Sequence, residues 1–384
     1  MQQRTHVVLL HAYSSNNSGD GLLVDLSVEL LKQAFGETTR VSIIAADPGS
    51  FPQYRDVYRA PVLAEYGVAR IGGVASVVLP IGKNGRTREL LKLLETADVV
   101  VGVGGGYLRA RNCMEILKLE AGHLLQMRAA CQSGKPVVYL PQSIGPSMPA
   151  EPLRSHLSGM LGKFHAVFVR DDRSAAFLAH NANIHRAPDM AVLDFERRNA
   201  QIMTRTVKAR PGVGHVAFVL RRAPSWTRQQ RERYETATRR LIQLLRETCR
   251  ISFAVQSTGR GNDDVAYYRS IGIEGDLMPL KELLAVDRPD VVVSVRLHGA
   301  LESVLNGVPS YHLSYERKGF GAYADLGVEE WVANAADFDP DKVVATILAS
   351  GAIHDFWTNA SSGFERIRLG RQRVIAALQA ARST

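Results

Sequence analysis

Val291-Val292-Val293-Ser294-Val295-Arg296-Leu297-His298-Gly299 is the stretch on which the reading of the fold turns. Its apolar residues are consecutive rather than alternating, the mark of a strand buried on both faces of a parallel sheet. The run then stops at an arginine, a histidine and a glycine, which reads as a strand end opening into a loop. Similar short apolar runs occur at 7–10, 41–46, 99–103, 137–140 and 167–169, with a weaker one at 184–187. Further ones follow at 216–220, 251–255 and 310–313. Helical spacing separates them, as in Leu22, Leu23, Leu26, Leu30 and Leu31, or Tyr234, Ala237, Leu241 and Leu244. This alternation predicts an α/β protein.

At 384 residues the chain exceeds what one hydrophobic core of roughly 250–300 residues accommodates, so two doubly wound, Rossmann-like domains are expected. The reading divides the chain into an α/β domain over 1–195, a linker over 196–212, a second α/β domain over 213–360 and a C-terminal helix over 361–384. The linker is placed where residues 196–210 are rich in arginine, lack clear apolar periodicity and precede Pro211-Gly212. In such folds ligands bind at the carboxyl ends of the strands, which puts the expected active site in a cleft between the domains.

Composition narrows the class. With 46% hydrophobic and 22% charged residues the chain is globular, and no run of about 20 apolar residues offers a membrane span. The apolar segment 7–10 is too short for a signal peptide, and Cys113, Cys131 and Cys249 lie far apart, so a reducing, cytoplasmic setting is expected. The net charge of +9 is regional, since residues 196–250 hold 14 Lys/Arg against 4 Glu. The plainest reading of that block is a solvated helix face. Contact with an anionic membrane surface is a second reading, and the absence of aromatic-basic interleaving or a zinc finger argues against nucleic acid.

The loops after the strands carry the candidate chemistry. Asn17-Ser18-Gly19-Asp20 opens a helix, with Asp20 either capping it or facing a ligand. Gly104-Gly105-Gly106 lets a ligand or a neighbouring loop approach the backbone, but Tyr107 interrupts a dinucleotide fingerprint and no P-loop is present. Gln142 and Ser143 follow the run 137–140. Arg170 follows 167–169 and reads equally as a ligand cation or half of a buried ion pair. Asp189 follows 184–187. Arg296 and His298, taken as alternate residues of an extended segment, would share one face: a planar anion-binding fork beside a group that exchanges protons near neutral pH. Lys318 and Arg221 lie after the strands 310–313 and 216–220 and add cations. No His/Asp/Glu cluster has metal-ligand spacing, and no metal or cofactor is expected.

Taken together, the motifs Asn17-x-Gly19-Asp20, Gly104–Gly106, Gln142-Ser143-Ile144-Gly145-Pro146, Arg170-Asp171 with Ser174, Pro188-Asp189, Arg296-Leu297-His298 and Ser314-Tyr315 with Lys318 resemble the polysaccharide pyruvyl transferase family, in order, over about residues 6 to 330. Tyr107-Leu108-Arg109, where a more apolar stretch is usual, departs from that pattern. The resemblance implies a GT-B-like pair of domains, phosphoenolpyruvate as donor and a sugar of a glycan or glycan precursor as acceptor. The product would be a cyclic pyruvate ketal on two hydroxyls. It further implies that His298 and Arg296 are catalytic and that Arg296, Lys318, Arg170 and Arg221 bind the donor, with the C-terminal domain as the donor side. Asn17, Gly19, Asp20, Gly104, Gly105, Gly106, Gln142, Ser143 and Asp189 would contact the acceptor on the N-terminal side. Two other functions fit the same basic cleft: a GT-B glycosyltransferase using a nucleotide sugar, and a non-catalytic protein that binds anionic glycans or phosphosugars.

Overall fold

The structure is a computed structural model that describes residues 4–61, 85–110, 113–147, 150–206, 212–222, 226–259, 262–275 and 277–383. Two compact units emerge, one of Met1–Ser15, Leu23–Met190 and Gly370–Thr384, the other of Asn16–Leu22 and Ala191–Leu369.

In the first unit the strands β1 (His6–Ala12), β2 (Arg40–Ala45), β3 (Val57–Arg59), β4 (Val99–Gly102), β5 (Gly105–Ala110), β6 (Val137–Ser147), β7 (Ala166–Val169) and β8 (Ile184–Arg186) form one parallel sheet, ordered β3-β2-β1-β4-β6-β7-β8. Val7, Val8, Leu9 and Leu10 have no solvent exposure, which explains why the sequence there is continuously apolar. The strand order reverses between β1 and β4, the position at which doubly wound sheets bind ligands.

One feature was not expected from the sequence. The glycine run stands among the loops after the strands in the sequence, yet Gly105–Ala110 is itself a strand, paired with the far half of β6 through Gly105↔Gln142 and Leu108↔Ile144. β4 pairs with the near half of β6 and ends at Gly102. Gln142 and Ser143 therefore lie within a long strand rather than in a loop after it.

The second unit has β9 (His215–Val219), β10 (Arg250–Val255), the hairpin β11 (Thr258–Gly259) and β12 (Asn262–Asp263), then β13 (Met278–Pro279), β14 (Val291–Ser294), β15 (Ser310–Ser314) and β16 (Val332–Asn334). Its six-stranded sheet is parallel, in the order β13-β10-β9-β14-β15-β16, and reverses between β9 and β14. All four residues of β14 are buried.

The expected linker 196–212 is helical as far as Thr206, within the helix Met190–Thr206, and 207–211 lie outside the described residues. That helix buries Val192, Leu193, Phe195 and Ile202, while Asp194 pairs with Arg197 at 2.7 Å and Arg198 at 2.5 Å. Arginines that looked like linker composition are thus a charged face held by one acid. The division between units falls between Met190 and Ala191, and the last helix, Phe364–Arg382, joins the first unit from Gly370 onward, where Gln379 donates to the Ala34 carbonyl at 3.1 Å.

The basic helix Arg228–Arg246 starts at a capping box formed by Thr227 and Gln230 and buries Tyr234, Thr238, Leu241, Ile242 and Leu245, with its arginines outward. Among the described residues, no helix is long and apolar enough to cross a membrane.

Candidate functional site

In the second unit the site is built on the end of β14. Ser294 Oγ accepts from the Arg296 backbone N–H at 3.1 Å and donates to the Arg296 carbonyl at 2.7 Å, a tight turn that stops the strand. Helix Leu297–Leu305 begins at once, with Arg296 in extended conformation at its N-cap. His298 is therefore in the first turn of a helix, and the shared strand face expected for Arg296 and His298 does not form.

Arg296 turns instead onto Asp264. Its Nε donates to both carboxylate oxygens, at 3.1 and 2.9 Å, and Nη2 bonds Oδ1 as well. The two side chains are 6% and 1% exposed. Asp264 also accepts from the backbone N–H groups of Gln256 and Ser257, each at 3.0 Å. Such a saturated carboxylate fixes the guanidinium and ties the end of β10 to the end of β14.

The loop opening the first helix, Ser18–Phe35, belongs to this unit. Ser18 donates its N–H and its hydroxyl to the Gln256 carbonyl, both at 3.0 Å, and Asn17 forms an antiparallel bridge with Ser257. Gly19 packs on the His298 ring, and Asn17 Nδ2 donates to Asp20 Oδ2 at 2.8 Å. Asp20 lies inside the helix that begins at Ser18, so it is not the cap. Asn17, Gly19 and Asp20, expected on the acceptor side apart from His298, are thus brought beside it. Burial raises the Asp20 carboxyl above its ordinary range, opposed by His298, the Asn17 hydrogen bond, Lys318 and Arg296.

The remaining cations differ in their holders. Lys318, in the first turn of helix Arg317–Leu326, pairs with Glu316 at 2.9 Å. Arg221, just beyond β9, lies over the Tyr315 ring at 5.3 Å and donates to its hydroxyl at 3.0 Å. It has no carboxylate within ion-pair distance among the described residues. A histidine the sequence reading passed over also belongs here. His312, in β15, donates from Nδ1 to the Ser294 carbonyl at 2.8 Å and is held neutral by burial, its pKa down to about 4, with Lys318 and His298 acting in the same direction.

Arg170, Asp189, Gln142, Ser143 and the glycine run lie in the first unit. Arg170 and Asp189 form an ion pair with side chains 2% and 1% exposed, and Arg170 Nε donates to Ser143 Oγ at 2.9 Å. Asp171 caps the next helix by accepting from the Ser174 N–H at 2.8 Å, and Ser174 Oγ accepts from the Ile144 N–H at 2.8 Å. The Arg170-Asp171 motif with Ser174 is therefore a brace between β7 and β6. Arg170 is a buried ion-pair partner in this unit, whereas Arg296, Lys318 and Arg221, with which it was grouped, belong to the other. A Cβ at Gly104 would stand 2.7 Å from Met190 Cγ and 3.0 Å from the Pro141 carbonyl oxygen, so close packing accounts for that glycine.

The family model for polysaccharide pyruvyl transferases matches residues 17–317, spanning every motif from Asn17 to the turn at Glu316. The chain belongs to the polysaccharide pyruvyl transferase family. It is thus an enzyme of the transferase class. No protein of curated function matches the chain. Solved structures resemble it in fold over nearly its whole length. Trehalose-6-phosphate synthase is 11% identical, with 98% of this chain and 99% of that one covered at a TM-score of 0.54. Os79 from O. sativa in complex with UDP is 12% identical, covering 98% and 100% at 0.53. A putative UDP-N-acetylglucosamine 2-epimerase from Listeria monocytogenes is 11% identical, covering 98% and 96% at 0.52. These likenesses agree with the two-domain, Rossmann-like GT-B fold expected from the sequence.

Proposed function

We propose that this pyruvyl transferase uses phosphoenolpyruvate as donor and forms a cyclic pyruvate ketal on two hydroxyls of one sugar. The observation that carries the reading is the gathering, in one unit, of a carboxyl held toward its protonated form, Asp20, with the imidazole of His298 and the ammonium of Lys318. Phosphoenolpyruvate carries a phosphate and a carboxylate, and its methylene carbon must gain a proton before C2 becomes electrophilic. Cations for the first requirement and proton carriers for the second are both present.

In this mechanism His298 delivers a proton to C3, the enol double bond gives up its electron pair to form the new C–H bond, and oxocarbenium character develops at C2. A sugar hydroxyl attacks C2 and surrenders its proton to the His298 or Asp20 base, restoring the acid. The C2–O bond to phosphate then breaks, the neighbouring hydroxyl attacks C2, and its proton leaves with inorganic phosphate. One donor and one diol thus give one ketal and one phosphate. Arg221 and Lys318 bind the donor's anionic groups. Arg296, already engaged by Asp264, holds the turn that presents His298 and adds positive potential.

The test is to incubate the full chain with phosphoenolpyruvate and a panel of sugars and glycan precursors, recording phosphate release and acceptor mass together. A mass gain of pyruvate less water, stoichiometric with phosphate and abolished by His298→Ala, supports the reading. Undiminished turnover in His298→Ala removes the central assignment, and transfer of a sugar from a nucleotide sugar replaces the reading with glycosyl transfer.

A further inference from the structure

In the second unit β9 and β10 separate just short of the site. Their last paired residues are Phe218 and Phe253, whereas β9 stays paired with β14 as far as Val219↔Ser294. A continued parallel ladder would next join the Leu220 N–H directly to the Ala254 carbonyl. The Tyr268 hydroxyl stands in that place instead. Its oxygen accepts from the Leu220 N–H at 2.9 Å and lies 2.9 Å from the carbonyls of Ala254 and Phe218, to which its one proton is donated. Leu220 and Tyr268 have no solvent exposure, so the N–H depends on a partner within the protein. Burial also drives the phenol well above its ordinary range, which keeps it a donor.

What this oxygen holds is the start of Arg221, the residue that follows Leu220. The far end of Arg221 is held by a second tyrosine, with its guanidinium over the Tyr315 ring at 5.3 Å and bonded to the Tyr315 hydroxyl at 3.0 Å. Tyr268 lies one turn after Asp264 on the helix Asp264–Ser270, and residues four apart share a helix face. Asp264 is the carboxylate that fixes Arg296. One short helix therefore sets two cations of the unit, Arg296 by direct ion pairing and Arg221 through the backbone of Leu220. The Tyr268 ring has a separate part, packing edge-on against Phe253 with centroids 5.6 Å apart. A phenylalanine would keep that contact and lose only the oxygen.

We propose that Tyr268 is a positioning residue for anion binding: its hydroxyl, through Leu220, sets where the Arg221 guanidinium stands. The inference rests on the assignment of Arg221 to the donor's anionic groups. Without the oxygen, the Leu220 N–H either closes directly onto the Ala254 carbonyl, drawing the end of β9 toward β10, or stays buried without a partner. Both outcomes displace the backbone from which Arg221 reaches out. A guanidinium binds phosphate or carboxylate through a fixed fork of N–H groups, so a shift at its base costs affinity.

The experiment is a double-mutant cycle on the full chain, with calorimetric titration of phosphoenolpyruvate and, separately, of inorganic phosphate into the parent, Tyr268→Phe, Arg221→Ala and the double variant. Tyr268→Phe should weaken phosphoenolpyruvate about fivefold or more, the effect of one misplaced hydrogen-bonding group. In the Arg221→Ala background the same change should add less than about twofold, because the residue it acts through is gone. In turnover the loss should fall on KM for phosphoenolpyruvate and leave kcat within about twofold. Tyr267→Phe removes another buried hydroxyl of the same helix, one that lies beside Tyr234, and should leave both dissociation constants unchanged. Unaltered affinity in Tyr268→Phe, as a purely structural role requires, would overturn the proposal, and so would equal weakening in both backgrounds or a loss confined to kcat. Coupled weakening seen with inorganic phosphate, in a parent that does not bind phosphoenolpyruvate, would keep the role of Tyr268 and remove the donor reading. A parent that binds neither anion would overturn both.

Discussion

Gly19 and His298 are in contact through the absence of a side chain: a Cβ at position 19 would stand 3.0 Å from His298 Cβ and 3.1 Å from Nδ1. Glycine there lets the loop of Asn17 and Asp20 close onto the imidazole. Gly19→Ala adds a methyl that the ring must yield to by a few tenths of an ångström, in a first helical turn where alanine otherwise favours the helix. The two effects oppose each other, so stability should change by less than about 1 kcal/mol. Turnover, which depends on where the ring sits, should fall about tenfold or more. Paired measurement of urea midpoints and phosphate release separates the two.

Asp264 makes Arg296 a structural as well as an electrostatic residue. Removing one partner from a buried, hydrogen-bonded ion pair costs about 3–5 kcal/mol because the other charge is left uncompensated. Arg296→Ala and Asp264→Ala should therefore both unfold at markedly lower urea, and Arg296→Ala is a poor probe of donor binding. Arg221→Ala, which removes a stacked and partly exposed cation, should leave the midpoint within about 0.5 kcal/mol of the parent. It should weaken phosphoenolpyruvate binding severalfold, as calorimetry would record.

Arg170 and Asp189 call for a double-mutant cycle. Each single substitution, Arg170→Met or Asp189→Asn, should destabilise by about 3–5 kcal/mol, whereas the double variant should cost distinctly less than the sum. Additive losses would mean that the two side chains act separately.

How much of this was legible beforehand follows from burial. Strands covered on both faces, such as 7–10 and β14, are written as continuous apolar runs and were readable. β5 and the outer half of β6 are written largely in glycine, glutamine, serine and proline, and their polarity disguised them as loops. Arg197 and Arg198 hid a helix because a single acid, Asp194, answers both. Arg296 and His298 stand out in the sequence, but the residues the fold sets beside them, Asp264 and Asp20, lie far away in it. Leu220 and Tyr268 lie far apart in it as well, and only the fold brings them together.

His312 sets a pH dependence. Its folded pKa, about 4, lies below the ordinary histidine value of 6.5, so between these values the unfolded chain binds the proton more readily. The stability this group contributes is complete above pH 6.5 and is lost as pH falls toward 4, about 3 kcal/mol over the window at 1.36 kcal/mol per unit. His11 and His123 slope the same way. Asp20 slopes oppositely. Its raised carboxyl pKa favours the folded state as pH falls through that value, so Asp20→Asn should be at least as stable as the parent at neutral pH. Urea midpoints measured from pH 4 to 8 should rise with pH for the parent and rise less steeply for His312→Asn, which keeps a donor to the Ser294 carbonyl.

The reading of the donor is tested most directly by the thermal midpoint of the full chain in the presence of phosphoenolpyruvate, of a set of nucleotide sugars, and of inorganic phosphate. A ligand at 100 times its dissociation constant adds about 2.7 kcal/mol, enough to move the midpoint visibly. Selective stabilisation by phosphoenolpyruvate, diminished in Arg221→Ala and Lys318→Ala, is the expected result. Stabilisation by a nucleotide sugar with none by phosphoenolpyruvate would contradict it.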